Sequence, residues 1–326
     1  MQTSNKVSIL VPLYNRQKLV AETVRSVLEQ SHDNFELLVV DDHSTDMSLE
    51  TVQRFTSDKR IRCWRRKSKQ KGAPACRNEG LAEASGAWVI FLDSDDLLGK
   101  YCLSNRVEVF RSEPSCDFHI FPSEQFRNVP GDLGLPWFRK SDDDLAGFFD
   151  KPLWQTTAAI WSTESIKRLG GFREDLLAWQ DWDLFVRALI GDLRYTVHDV
   201  AADNFVRRSL HDRISANAER DQRKLKNRTL LFRDLFQSLT ASGKLNEQRE
   251  KSLIELFKQL AIKMRISGLS QESDQWLAEM VDMKLLPESL LEPIKSEVKK
   301  QSKLTLRQRI NEFKLSLLRM YHRING

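Results

Sequence analysis

The sequence predicts an α/β protein: a Rossmann-like, mostly parallel sheet with flanking helices, followed by a C-terminal α-helical extension. Three observations carry this expectation. Short continuous apolar runs alternate with amphipathic segments through the first hundred residues. Acidic residues cluster at the ends of those runs. From about Ser215, Pro and Gly thin out, and helical periodicity with many Lys and Arg continues to the end. Buried strands alternating with helices imply a parallel sheet covered on both faces, and such sheets bind ligands beyond the carboxyl ends of their strands.

The elements follow in order. VSILV (7–11) is an apolar run of strand length, stopped by Pro12. QKLVAETVRSVLEQ (17–30) sets Leu19, Val20, Val24, Val27 and Leu28 on one helical face. FELLVV (35–40) reads as a second buried strand, DDHSTD as a turn cluster, and a helix starts near Met47. Ile61–Trp64 reads as a short third strand, residues 75–84 as a helix, and Trp88–Leu92 as a strand running into FLDSDD (91–96). The stretch 117–213 is less regular and rich in Trp and Phe.

Composition narrows the function. The chain has 326 residues, 40% apolar and 30% charged, enough for a real core in a soluble protein. A net charge of +5 suits an anionic ligand or an acidic membrane surface rather than nucleic acid. Cys63, Cys76, Cys102 and Cys116 form no CxxC pair and no zinc spacing, so they read as reduced thiols of a cytoplasmic protein. The N-terminal apolar run is too short for a signal peptide, and no eighteen apolar residues run together.

The acidic strand ends carry the chemistry. Ser44 and Asp46 are ordinary capping residues, but only one residue can occupy an N-cap, so the adjacent pair Asp41–Asp42 asks for more. A carboxylate there can accept from the N–H of a uracil-like base. In FLDSDD, Asp93 and Asp95 present two carboxylates from one loop to a hard divalent cation, with a diphosphate filling other positions. Arg77 and Asn78, near a helix start, suit phosphate or ribose, against the plainer reading of a surface helix.

VSILVPLYN, SVLEQS, FELLVVDDHSTD, CRNEGL and AWVIFLDSDD, in this order, resemble the family 2 glycosyltransferases of the GT-A fold. The likeness is strong over about residues 5–100 and looser through LGGFRED (169–175) and WQDWDLFVR (179–187). It implies a GT-A domain over 1–215, with a nucleotide-sugar-binding half (1–100) and an acceptor-binding half (101–215), and a helical region over 216–326. It implies donor contacts at Pro12, Tyr14, Asp41, Asp42, Arg77, Asn78, Asp93 and Ser94, with Asp42 holding the base. Asp95 and Asp93 would bind Mn2+ or Mg2+, with His211 of RRSLHDRIS (207–215) reaching the metal or diphosphate. Asp181 would be the general base, although Gln180 stands where the family usually has Glu. Trp154, Trp179 and Trp182 are candidate acceptor contacts, each with core packing as its alternative. Trp137 is a further such candidate.

The resemblance implies an inverting enzyme that moves a sugar from a nucleoside-diphosphate sugar, UDP favoured, to a saccharide or lipid-linked acceptor in polysaccharide or glycoconjugate assembly. Three alternatives stay open. A haloacid-dehalogenase-like phosphatase also uses a strand-end DxD, but expects it near the domain start and followed by Gly-Thr. A sugar nucleotidyltransferase wants a Gly-rich triphosphate loop where this chain has VPLYNRQK. A non-catalytic binding module would not need Asp42, Asp93, Asp95 and Asp181 together. At the C-terminus, residues 304–326 set Leu306, Ile310, Phe313, Leu317 and Met320 along one basic-flanked stripe. That helix suits the inner face of a membrane, or packing on the catalytic domain or a second subunit.

Overall fold

The computed structural model describes residues 5–208 and 221–303. The chain divides into two compact units, Met1–Arg213 and Ile214–Gly326.

In the first unit, β1 (Val7–Leu13), α1 (Val20–Leu28), β2 (Phe35–Asp41), α2 (Ser48–Gln53), β3 (Ile61–Arg65), α3 (Ala73–Glu83) and β4 (Trp88–Phe91) alternate as the apolar runs predict. β5 (Leu97–Leu98), α4 (Cys102–Ser112), β6 (Phe118–Ile120), β7 (Ser123–Phe126), β8 (Leu135–Trp137) and α5 (Asp144–Asp150) follow. Then come β9 (Ala159–Ser162), α6 (Thr163–Arg168), α7 (Gln180–Ile190), β10 (Tyr195–Val197) and β11 (Asn204–Arg207). A seven-stranded sheet has the order β10-β6-β9-β4-β1-β2-β3. β1 is parallel to β2 and β4, and β2 to β3, while β9 runs antiparallel to both β4 and β6. A smaller sheet has the order β5-β11-β7-β8.

Every residue of β1, β2 and β4 is buried, as expected of strands covered on both faces. Val7, Ile9, Val11 and Leu13 belong to one core with Val20, Val24 and Val27 of α1 and Leu103, Val107 and Phe110 of α4. On the other face α3 lies close, because Gly80 lets it approach Leu10 and Val40; an added Cβ would stand 3.4 Å from Leu10 Cδ2.

Pro12 does not stop β1, contrary to the sequence reading. Lys6 and Leu10 carbonyls accept from Trp88 and Leu92 of the β4 side, whereas Leu13 accepts from Asp42 beyond β2. Even-numbered residues therefore face β4, and β4's pairing ends at Leu10. Pro12 faces β4 beyond the last paired residue, so its missing N–H breaks no pairing of the β1–β4 ladder and the strand passes through it. α3 starts two residues earlier than predicted, with Pro74 in its first turn, where the missing N–H costs nothing.

The order of the strands reverses between β1 and β4: from β1 the chain moves outward through β2 and β3, then crosses back to β4. This switch point opens a crevice at the carboxyl ends of β1 and β4.

The second unit contains α8 (Gln222–Ala241), α9 (Glu247–Ile266), α10 (Ser270–Asp282) and α11 (Leu291–Ser302). Asp221 and Asn246 cap α8 and α9 by accepting from backbone N–H groups of the first turn. Phe232, Phe257 and Trp276 form the core, with the two phenylalanine rings stacked at 4.9 Å and Trp276 Nε1 donating to the Phe257 carbonyl at 3.0 Å. No described helix is long and apolar enough to cross a membrane. His211 and the basic stripe of 304–326 lie outside the described residues.

Candidate active site

Three loops meet at the switch point. The loop after β1 is pinned to the loop after β2: Thr45 N donates to Asn15 Oδ1 at 2.8 Å, Asn15 N to Ser44 Oγ at 3.0 Å, and Arg16 N to Ser48 Oγ at 2.6 Å. Asn15 and His43 take left-handed backbone conformations (φ 49° and 61°), which tighten both turns. Tyr14 is left 52% exposed at the mouth, and Pro12 is buried behind it.

Asp41 and Asp42 diverge. Asp41 is fully enclosed; its Oδ2 accepts from Ser44 N at 3.0 Å, and its Oδ1 has no hydrogen-bond partner. Asp42 Oδ1 accepts from Arg66 Nε at 2.6 Å and Oδ2 from Gly72 N at 2.8 Å. The pair thus holds the 66–72 segment against β2, and Asp42 rather than Asp41 faces the segment leading into α3.

The three carboxylates of FLDSDD separate onto three partners. Asp93 Oδ1 accepts from Arg77 Nη2 at 2.5 Å, Asp95 Oδ2 from Arg16 Nε at 3.1 Å, and Asp96 Oδ1 from Arg207 N at 2.8 Å. Asp96 points inward and is buried, whereas Asp93 and Asp95 keep part of their side chains open. Burial, then the negative charge of Asp93, raises the Asp95 carboxyl above its usual range, against the pull of Arg16. Burial, then Asp95 and Asp93, raises Asp96 well above it. Crowded acids that resist ionisation in this way are relieved by a cation. The two partly open carboxylates, hard oxygen donors from one loop, fit Mg2+ or Mn2+. Ser94 between them is buried.

Arg77 lies almost enclosed, its guanidinium 4.9 Å above the ring of Phe172, while its Nε has no hydrogen-bond partner. Asn78, expected at the nucleotide sugar, is engaged elsewhere. Its Nδ2 donates to the Phe172 carbonyl and Glu174 Oε1, both at 2.8 Å, and its Oδ1 accepts from Phe172 N at 2.8 Å. Asn78 therefore brackets the GGFRED loop onto α3.

α7 brings in Asp181. Its cap residue Trp179 adopts a left-handed conformation (φ 66°), a cost of a kind that clusters at functional sites. Asp181 Oδ1 accepts from Trp182 N at 2.8 Å. Burial raises the Asp181 carboxyl; Trp182 N–H and the positive charge of Arg77 oppose this, and Asp93 adds to it. Asp181 therefore shares an electrostatic environment with Arg77 and Asp93. Gln180 donates to the Leu176 carbonyl at 3.1 Å, a structural contact. One turn on, Asp183 is paired with Arg187 at 2.7 Å, and Arg187 donates to the carbonyls of Leu169 and Gly171, fixing the GGFRED loop from its other side.

Two of the three acceptor tryptophans are corrected. Trp154 and Trp182 are 1% and 2% exposed. Trp154 packs among Phe148, Phe185 and Tyr195, and Trp182 Nε1 donates to the Phe148 carbonyl at 2.8 Å. Large aromatic area is stabilising inside a core, and neither ring offers a face to a sugar. Trp179 alone stays partly exposed, two residues before Asp181.

Sequence reasoning missed Arg16 and Arg66, whose guanidiniums pair with Asp95 and Asp42, and Arg207, whose backbone N–H reaches Asp96. Arg16 directly follows VSILVPLYN and Arg66 follows the strand read over Ile61–Trp64, so basic residues just past strand ends were the available signal.

The description "Glycosyl transferase family 2" matches residues 8–155. The TuaG protein of Bacillus subtilis, a putative teichuronic acid biosynthesis glycosyltransferase, is 41% identical over 113 residues, 34% of this chain and 44% of TuaG. The chain spans less than half the length of the curated relatives it matches first. In overall fold it is similar to S. aureus TarS bound to UDP-GlcNAc, with a TM-score of 0.67 and 21% identity over 91% of this chain and 89% of that one. It is similar also to the Pyrobaculum calidifontis mannosyltransferase PcManGT with GDP-Man and Mn2+, with a TM-score of 0.52 and 20% identity over 91% and 84% of the two chains. The acidic strand ends at the switch point and the GT-A architecture agree with the match of residues 8–155 to glycosyl transferase family 2.

Proposed function

We propose that this protein transfers a sugar from a nucleoside-diphosphate donor to an acceptor hydroxyl, inverting the anomeric configuration. The observation that carries the reading is the pair of partly open carboxylates after β4, Asp93 on Arg77 and Asp95 on Arg16, with the charge of Arg77 acting also on Asp181 of α7. Tyr14 and Asp42 take the nucleotide base; Asp42 N donates at 2.7 Å to the carbonyl of Leu13, the residue before Tyr14. Asp93 and Asp95 would hold a divalent ion, which supplies neutralisation of charge on the departing diphosphate. Arg16 and Arg77, once released from those carboxylates, are placed to meet diphosphate oxygens. Asp181 takes the acceptor proton as its oxygen attacks the anomeric carbon from the face opposite the diphosphate. Trp179 borders the sugar.

A UDP-sugar is the favoured donor, in keeping with UDP-GlcNAc in TarS. A saccharide or lipid-linked saccharide is the favoured acceptor, in keeping with relatives named for teichuronic acid biosynthesis, colanic acid biosynthesis and glucosyl transfer to GlcNAc-diphosphoundecaprenol. The loop after β1, YNRQ, has no glycine run for a triphosphate, which disfavours nucleotidyl transfer. The test is a screen of nucleotide sugars for release of nucleoside diphosphate, with and without Mn2+ or Mg2+. The reading expects ion-dependent release that Asp95→Ala and Asp181→Ala each abolish. Release that is indifferent to both variants overturns it.

A further inference from the structure

We propose that Glu113, Cys116 and His119 form a second metal site, remote in sequence from the Asp93–Asp95 loop, for a divalent cation of the zinc class. Three local features assemble it. Glu113 ends α4, a turn closed by Cys116 N donating to Glu113 O at 3.2 Å carries Cys116, and His119 sits on β6. One oxygen, the sulfur and one ring nitrogen of these residues lie within 4.8 Å of one another; among the described residues no other such group of three occurs.

The donor set is a thiol, an imidazole and a carboxylate, the mixture that zinc accepts and that magnesium does not select. His119 is fully buried, its Nδ1 lies 3.1 Å from His198 Nε2, and its Nε2 has no hydrogen-bond partner. A buried ring nitrogen left bare is costly, and a cation bound there accounts for it. His198 then accepts from Nδ1–H and fixes the tautomer, the usual outer partner of a metal-binding histidine. Thr196 donates to Glu113 Oε2 at 2.7 Å and orients that carboxylate.

The site has a structural consequence. β10 is an edge strand held only by β6 in the large sheet, and both Thr196 and His198 reach the cluster from it or just beyond it. A bound ion would tie the end of α4, β6 and this edge together.

The test is to titrate chelator-treated full-length protein with Co2+, the spectroscopic stand-in for zinc, and then with Zn2+. The expected result is a near-ultraviolet thiolate-to-cobalt band that saturates at one ion per chain and that Zn2+ displaces. Cys116→Ser, which keeps the hydroxyl contact to Thr196, loses the band and more affinity than the roughly 10–100-fold typical of an outer-shell change. Asp95→Ala keeps the band, which separates this site from the one in the proposed reaction. Zn2+ raises the unfolding temperature of the wild type and not of Cys116→Ser. Absence of the band in the wild type, its persistence in Cys116→Ser, or its loss in Asp95→Ala overturns the proposal.

Discussion

Replacing Asn78 by Ala separates two roles for a residue that its motif assigns to the donor. In the structure Asn78 makes three hydrogen bonds of 2.8 Å, two to the backbone of Phe172 and one to Glu174. Each is worth about 0.5–1.5 kcal/mol net. Their joint loss, with the Phe172 N–H and carbonyl left in a half-buried bracket, amounts to roughly 2–3 kcal/mol. For a unit of this size that is roughly 4–12 °C in unfolding temperature. Phe172 also carries the Arg77 guanidinium on its ring face and packs edge-on against Phe91 at 4.9 Å. Loosening the bracket should therefore weaken donor use secondarily, and low temperature should restore much of it. The assay is urea unfolding in parallel with donor binding. Wild-type stability combined with a large loss of donor affinity would show that Asn78 contacts the ligand and that the bracket is incidental.

Other outcomes follow from the same contacts. Asp181→Asn keeps an oxygen for the Trp182 N–H, so it should fold and bind donor normally while turnover falls about 10²–10⁴-fold. Because burial raises Asp181, wild-type activity should rise with pH through a limb above the ordinary aspartate range; a limb at or below that range contradicts the assignment. Glu36 joins β2 to β1 through Ser8 Oγ at 2.6 Å and Lys6 Nζ at 3.0 Å, and to the α3–β4 turn through Ser85 N at 2.7 Å. Burial opposes ionisation of Glu36, but these hydrogen bonds outweigh it and hold the carboxyl at about 2. A depressed folded-state value stabilises above the unfolded value near 4.5, and that contribution fades as pH falls toward about 2. Glu36→Gln should thus be less stable than wild type at pH 7 by up to about 3 kcal/mol, with the gap narrowing toward pH 3. A pH-independent gap in urea midpoints would count against it.

The parallel core was legible because a strand buried on both faces must be a continuous apolar run, and β1, β2 and β4 are such runs. The acidic loops were legible because they end those runs. β9 was not: it inserts antiparallel between β4 and β6 with four residues, AIWS, inside an aromatic-rich stretch that has no period of its own. The Asn78 bracket was not legible because its partners stand 94 and 96 residues away, which no local pattern reveals. Trp154 and Trp182 carry the same ambiguity, since an aromatic that packs a core and one that stacks on a sugar look alike in sequence. Pro12 was misread because its tolerance depends on where a neighbouring strand ends.

The structure of the protein with Mn2+ and a non-hydrolysable donor analogue bears most directly on the proposed chemistry. The account predicts the ion between the diphosphate and Asp95, with Asp93 beside it and Asp181 across the sugar ring from the leaving group. A bound donor that leaves Asp93 on Arg77 and Asp95 on Arg16, with its diphosphate elsewhere, would contradict it.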